Sequence, residues 1–153
     1  MERGVHTLKI IIYGLERALW KLLGESCLAA CTLIGEGIYN ELNEVARVDI
    51  SSAGVSEEEA LKEIGRVLVD EMGVSKRFEI SRSGDTISIE VEDCILMDVE
   101  DELIRDGIKP FVCPYMNLTA YIMRKRLKMK TKITGIEVDP ENRQCHLKFE
   151  MLK

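Results

Sequence analysis

The sequence has 153 residues, of which 46% are hydrophobic and 31% charged, and this composition predicts one domain, spanning residues 1–153, rather than a disordered chain. The formal net charge of −6 argues against a protein whose whole surface binds nucleic acid. Five cysteines without regular spacing argue against a disulfide-stapled secreted fold and favour a reducing, cytoplasmic setting. Charged residues near the N-terminus lead us to expect no signal peptide. Because no stretch of 18 or more apolar residues occurs, we also expect no membrane-spanning helix.

The first element is a predicted helix from about Thr7 to Leu23, because apolar residues recur there every three or four positions. We expect these residues to form one buried face. They are Leu8, Ile11, Ile12, Leu15, Leu19, Leu22 and Leu23. Ile10 and Trp20 make the early turns apolar nearly all round, so the core or a partner must cover this helix.

A second helix is predicted from Ser26 to about Glu44. Cys27 and Cys31 lie one turn apart on its apolar face, where free cysteines usually pack as small core residues. Gly35 and Gly37 lower the stability of this helix. We therefore expect either the close approach of another element or room for a bound molecule, whose cavity the two cysteines would line.

The middle of the chain changes from helix to strand. Ser56 and Glu59 have the spacing of a capping box, which predicts the start of a third helix. Polar and apolar residues then alternate from Phe78 to Val91 around a Ser83-Gly84-Asp85 turn, which predicts a β-hairpin. The acidic stretch from Ile95 to Asp106 is predicted to be partly helical.

The C-terminal third contains one more helix and a second hairpin. Pro114 follows Cys113 and predicts the first turn of a helix. The hairpin runs from Lys132 to Asp139 and from Cys145 to Met151, and apolar side chains alternate along its last strand. The order of elements predicts an α+β fold, a two-layer arrangement in which N-terminal helices pack on an antiparallel sheet built from two hairpins.

The common catalytic signatures do not occur in this sequence, which has no Gly-rich phosphate loop, zinc-protease motif or nucleophile elbow. His146 is the histidine best placed to act as a general base. It is expected to point away from Cys145, because neighbouring residues in a strand face opposite sides of the sheet. An enzyme is therefore the weaker expectation.

Three cysteines lie at the ends of predicted elements: Cys94, Cys113 and Cys145. Brought together, they could bind zinc, with Glu137 or His146 as a fourth ligand. Because a helix N-terminus stabilises a thiolate, we expect Cys113 to be the most acidic thiol. No pair has the CxxC spacing, so the alternative is a set of reduced structural thiols.

Basic residues occupy six of the nine positions from 124 to 132: Arg124, Lys125, Arg126, Lys128, Lys130 and Lys132. Such a cluster can bind nucleic acid, anionic lipid or the carboxylate of a ligand. No aromatic residue is interleaved with it, which argues against nucleic acid. The alternative is a solvated helix end whose cations complement the helix dipole, and the sequence leaves the role of the cluster open.

Several of these segments together resemble a known family. They are Val112-Cys113-Pro114-Tyr115 with the helix that follows, Glu137, and the strand from Cys145 to Glu150. In order and type they are similar to the 4-vinyl-reductase-type domain. Upstream, the predicted third helix and first hairpin match the family's helix-then-hairpin segment, and Gly35 and Gly37 fall where its second helix carries glycines. The resemblance covers about residues 10–151.

This resemblance implies an archaeal-type sensory module with a fold similar to TRAPP vesicle-tethering subunits and haem-NO-binding domains. It implies that a small apolar, hydrocarbon-like ligand binds between helices and sheet. The expected pocket residues are Cys31, Gly35, Tyr39, Phe111, Tyr115 and Leu118. The resemblance also implies a zinc site at Cys113, Glu137 and Cys145, with Cys94 or Asp139 supplying the fourth ligand, or no metal at all.

Three functions are compatible with the sequence. A non-catalytic ligand-binding or sensory module, with or without structural zinc, is favoured. The second is a homodimeric interaction protein without a ligand, which the apolar first helix supports. The third is a tetrapyrrole-modifying reductase, which ranks last because the residues show no nicotinamide or flavin site.

Overall fold

The computed structural model describes residues 2–48 and 56–152 and confirms the α+β class. Its α-helices are α1 (Glu2–Leu23), α2 (Cys31–Ala46), α3 (Glu57–Gly65), α4 (Met97–Arg105) and α5 (Pro114–Tyr121). A 3₁₀ segment over Gly24–Ala30 joins α1 to α2, and π-helical turns extend α3 over Arg66–Glu71 and α5 over Ile122–Arg126. The strands are β1 (Arg77–Ser83), β2 (Thr86–Glu92), β3 (Thr131–Asp139) and β4 (Gln144–Met151).

The strands form an antiparallel sheet in the order β1-β2-β4-β3, so the two predicted hairpins join through β2 and β4. Their register pairs Ile87 with Phe149, Ile89 with Leu147 and Val91 with Cys145. All six side chains are buried. The alternation read from the sequence therefore describes one continuous inward face, against which the helices pack.

Two helix ends form as the sequence predicted. Ser56 and Glu59 make a reciprocal capping box: the Glu59 backbone N–H donates to Ser56 Oγ at 3.2 Å, and the Ser56 N–H donates to Glu59 Oε2 at 3.3 Å. Gly24 follows α1 with a φ of 57°, a left-handed conformation that suits glycine and ends the helix. A side-chain capping box therefore fixes where α3 begins, and the backbone conformation of a glycine fixes where α1 ends.

Helices α2 and α5 approach each other closely at Gly35. A Cβ atom placed there would overlap the backbone carbonyl of Asn117, whereas a Cβ at Gly37 would meet open space. Asn117 is itself buried, and its amide donates to the Phe111 carbonyl at 2.8 Å while accepting from the Cys113 N–H at 2.9 Å. Of the two expectations for the glycines, close approach of another element holds at Gly35.

The expected buried face of α1 is wrong. Leu8, Leu15 and Leu22 are 59%, 57% and 79% exposed, and Ile11, Leu19 and Leu23 are also exposed. Ile12 alone of the predicted set lies partly against the core. The buried residue of α1 is Glu16, about 100° around the helix from Leu15. Periodicity identified an apolar stripe correctly, but the stripe faces solvent because a carboxylate takes the inward position.

By length and apolar composition alone, the helical stretch Glu2–Ala46 could cross a membrane. Its first helix nevertheless makes polar contacts with the rest of the domain. The Tyr13 hydroxyl donates to Asp106 Oδ2 at 2.6 Å, and Lys9 Nζ lies 3.8 Å from Asp98 Oδ2. Together with buried Glu16, these contacts hold α1 against the folded domain.

The contact at Gly35 predicts opposite effects for two neighbouring glycines. Gly35→Ala should destabilise the protein by about 1–3 kcal/mol, because the added methyl group forces α2 away from α5. Gly37→Ala should stabilise it by about 0.5–1 kcal/mol, because alanine favours the helix and nothing obstructs it. Urea unfolding followed by circular dichroism measures both, and equal effects of the two substitutions would contradict this packing.

Candidate functional site

An open groove of about 560 Å³ lies between the start of α2, the end of α5 and the start of β3. This volume falls within the range of small-molecule sites. Most of its lining side chains are small or apolar, three are basic, and none is acidic. They are Leu28, Ala29, Cys31, Thr32, Leu33, Ala120, Arg124, Lys125, Thr131, Lys132 and Ile133. The groove therefore combines an apolar surface with positive charge.

The basic cluster of residues 124–132 supplies those charges. Arg126 lies over the ring of Tyr39, 5.5 Å from its centroid. None of the six basic side chains forms an ion pair with an acidic group in residues 2–48 or 56–152. The cations that line the groove are therefore not neutralised by this part of the chain.

A second groove of similar size, about 580 Å³, lies between α3 and β1. Its basic side chains are already paired with acids. Lys62 Nζ lies 3.1 Å from Glu58 Oε1, and Lys76 Nζ lies 3.1 Å from Asp93 Oδ2. Since internal partners satisfy its charges, this groove has less to offer a charged ligand than the groove beside α2, which we take as the candidate site.

Of the six predicted pocket residues, Cys31 lines the groove, although its own side chain is only 2% exposed. Gly35, Phe111 and Leu118 are buried around the contact between α2 and α5. The Cys31 thiol donates to the Phe111 carbonyl across 3.7 Å. Cys31 is therefore the residue of the predicted six that the structure places at the groove.

The two predicted pocket tyrosines lie in packed aromatic pairs. Tyr39 packs against Tyr121 with 5.2 Å between ring centroids. Tyr115 stacks on Phe78 at 5.3 Å, and its hydroxyl makes a short hydrogen bond with Ser75. Both tyrosines are buried and stabilise the core, and Phe78 lines the second groove rather than the candidate site.

The structure brings Cys94, Cys113 and Cys145 together around a buried carboxyl group that the sequence did not single out. Glu100 of α4 is fully buried, and the Cys145 thiol donates to its Oε2 at 3.6 Å. Cys113 and Cys94 lie close enough to this carboxyl group to interact with it electrostatically. Glu100 Oε1 has no hydrogen-bond partner in the described part of the chain. The cluster is therefore three thiols around one incompletely satisfied acid.

Burial dominates the chemistry of this cluster. It raises the pKa of Glu100 to about 7, although interactions with the Cys113 and Cys145 thiols oppose the rise. It also raises the pKa of Cys94 to about 12 and that of Cys145 further. The expectation that Cys113 is an acidic thiol is wrong: burial and the neighbouring Glu100 raise its pKa well above the ordinary value, outweighing the helix terminus.

The predicted zinc ligands are only partly brought together. Glu137 pairs with His146 across β3 and β4 and is exposed on the outer face of the sheet, whereas Cys145 faces the core. His146 lies 3.4 Å from Glu90 on that outer face. Within the described residues, no group of three or more histidine, cysteine, aspartate or glutamate side chains is arranged to hold a metal ion. Zinc binding by these cysteines stays a prediction.

Sequence reasoning also missed Glu16. Its Oε1 accepts the backbone N–H groups of Phe111 and Val112, both at 2.8 Å, and its side chain has no exposed area. Desolvation raises its pKa even though these two hydrogen bonds favour the charged form. Glu16 thereby fixes the segment that leads into α5. Its one signal in the sequence is a charged residue within an apolar run.

The comparisons with known proteins agree with this architecture. A family model described as "Putative rubredoxin C-terminal domain" matches residues 8–149. Among solved structures, the chain is similar to trafficking protein particle complex subunit 3 from Naegleria fowleri, covalently bound to palmitic acid. The two share 12% identity and a TM-score of 0.55, and the match covers 100% of this chain and 98% of the other. A comparison with curated proteins gave no match.

These findings confirm the expected likeness to TRAPP subunits at the level of the fold. The matching family model is not that of the 4-vinyl-reductase-type domain. The finer resemblance drawn from the cysteine and glutamate positions therefore stays a prediction.

The buried carboxyl group predicts a specific pH dependence of stability. Because the pKa of Glu100 is raised to about 7 in the folded state, the folded protein binds more protons than the unfolded chain between about pH 4.5 and 7. Glu100 should therefore lower the free energy of unfolding by up to about 3 kcal/mol as the pH rises through that window. Glu100→Gln should remove this decline, as measured by urea unfolding at several pH values.

Glu102→Gln is the matched control, because Glu102 is exposed on the same helix. Its unfolding free energy should follow that of the wild type at every pH. If Glu100→Gln also followed the wild type, Glu100 would not be held in the buried state described.

Proposed function

The chain belongs to the rubredoxin C-terminal domain family, and we propose that it is a non-catalytic module that binds a small apolar molecule in the groove between α2, α5 and β3. The observation that carries this proposal is the groove itself: about 560 Å³, bounded by Leu28, Leu33 and Ile133. The likeness in fold to a TRAPP subunit that carries palmitic acid supports an aliphatic ligand.

The ligand is expected to bind without a covalent bond. Cys31 is the cysteine that lines the groove, but it is 2% exposed and its thiol donates to the Phe111 carbonyl. Burial raises the pKa of Cys31 to about 11, which leaves little of the nucleophilic thiolate at neutral pH. Denaturing mass spectrometry should accordingly show the unmodified chain mass even when native mass spectrometry shows a bound molecule.

A sensory role is the finer form of this proposal. The resemblance of Cys113 and the last strand to the 4-vinyl-reductase-type domain supports it. All five cysteines are free, which supports a reducing cytoplasmic setting.

Filling the groove should abolish binding of an apolar probe. Ala29 lines the groove and is exposed, so Ala29→Trp adds a bulky side chain there without disturbing the core. We expect this variant to lose at least about tenfold in affinity for the neutral dye Nile red, followed by fluorescence titration, because the indole takes the space of the ligand.

The control is Asn40→Trp, an exposed position on α2 that is not among the groove residues. It should bind the dye as the wild type does. Equal binding by Ala29→Trp and the wild type would show that the dye does not occupy this groove.

A second candidate function is a homodimeric scaffold, which the exposed stripe of α1 favours. Leu8, Ile11, Leu15, Leu19 and Leu22 recur along one side of the 22-residue helix, and all five are exposed. The spacing of three and four residues is that of helix pairs that bury such stripes against each other. A second copy of the chain offers the same stripe, and pairing would remove both from water.

Breaking the stripe should leave a monomer. If the chain is a homodimer, Leu15→Arg should reduce the mass measured by sedimentation equilibrium to that of one chain, because an uncompensated charge would lie at the centre of the interface. Val45→Arg is the matched control: Val45 is equally an exposed apolar residue, but it lies on α2. A wild type that sediments as a monomer would exclude this function.

A further inference from the structure

The cations beside the groove have no ion-pair partner within residues 2–48 and 56–152. Elsewhere in the described chain, many basic side chains pair with acids, such as Lys109 with Glu25 at 2.6 Å and Arg143 with Asp93 at 2.9 Å. Glu25 is also close enough to Lys132 for the two charges to interact, but its carboxylate is already bonded to Lys109. In residues 2–48 and 56–152, six basic side chains without an ion pair are thus grouped within nine positions of a chain whose net charge is −6.

Hydrogen bonding to the helix end does not occupy these cations. The carbonyls of Ile122 and Met123, in the turn that extends α5, already accept the backbone N–H groups of Leu127 and Met129, at 2.9 Å and 2.7 Å. The main chain therefore caps these carbonyls, and the basic side chains are not required to do so. Their unpaired charge is available to a ligand instead.

Only those cations that line the groove can contact a ligand bound in it. Arg124, Lys125 and Lys132 line it together with apolar side chains, whereas Lys128 and Lys130 are not among its lining residues. Arg126 is directed to the ring of Tyr39. An uncharged hydrocarbon would use only the apolar surface, while an anion without a chain would use only the cations.

We infer that the ligand is an anionic amphiphile, a molecule with a hydrocarbon chain and a carboxylate or phosphate head group held by Arg124, Lys125 and Lys132. This inference rests on the proposed apolar groove and names the chemical class that it selects. Because the Cys31 thiol is buried and the head group is not consumed in a covalent bond, the head group keeps its negative charge on binding. The unpaired cations stabilise that charge at the edge of the groove.

Displacement of Nile red by three twelve-carbon probes tests the inference: dodecanoate, dodecyl phosphate and uncharged dodecan-1-ol, each below its aggregation concentration. Both anions should displace the dye at about tenfold lower concentration than the alcohol, since each cation contact strengthens binding by a factor of several. Sodium chloride at 0.5 M should reduce this preference, because the contacts are exposed to solvent. Equal displacement by all three would overturn the inference and leave the proposed apolar groove intact.

A matched pair of double variants locates the head group. Lys125→Gln with Lys132→Gln should weaken dodecanoate binding about tenfold and leave dodecan-1-ol unchanged. Lys128→Gln with Lys130→Gln removes the same charge from the same segment and should bind both probes as the wild type does. Equal weakening by the two double variants would overturn the inference. It would show that the overall positive charge of the segment attracts dodecanoate, without a local binding site for the head group.

Vesicles separate a soluble amphiphile from a membrane surface. Flotation with phosphatidylcholine vesicles containing 30% phosphatidylglycerol tests whether the cations bind a lipid bilayer. Vesicle binding without displacement by monomeric dodecanoate would overturn the inference, since it would place the cations against a bilayer. If Nile red itself fails to bind, or binds equally to Ala29→Trp, the proposed function fails as well.

Discussion

The contact between α2 and α5 at Gly35 sets the geometry on which the candidate site depends. A glycine there lets the α2 backbone meet the Asn117 carbonyl directly, so the two helices approach more closely than side chains would permit. The start of α2 and the end of α5 are two walls of the groove, and β3 supplies the third. The distance between those walls therefore follows from one residue without a side chain, and Asn117 fixes the segment before α5 by bonding to Phe111 and Cys113.

Two carboxyl groups, those of Glu16 and Glu100, are buried in the otherwise apolar core. Glu16 binds two backbone N–H groups that would otherwise lie unsatisfied behind the groove, and in doing so it directs the apolar stripe of α1 towards solvent. Glu100 lies among three thiols with one oxygen unpartnered, and burial brings its pKa near neutrality. Glu16 therefore positions α1, whereas Glu100 makes the free energy of unfolding depend on pH within the physiological range.

Most elements of the fold could be predicted from short-range patterns in the sequence. The capping box at Ser56, the end of α1 at Leu23 and the alternation along β4 each depend on near neighbours, and each formed as predicted. The direction of α1 could not be predicted, because it depends on Glu16 meeting a segment 95 residues away. The same holds for Glu100, whose role depends on Cys113 and Cys145. The basic cluster was visible in the sequence, but only the folded chain places part of it beside an apolar groove.

The central claim is that an amphiphile occupies the groove between α2, α5 and β3, and chemical-shift mapping by NMR tests it most directly. Titration of the ¹⁵N-labelled protein with dodecanoate should shift the backbone amides of residues 28–33, 120–125 and 131–133, which line the groove. Amides of residues 62–70 and 76–80, around the second groove, should not move. Shifts confined to that second groove, or to the exposed stripe of α1, would contradict the account.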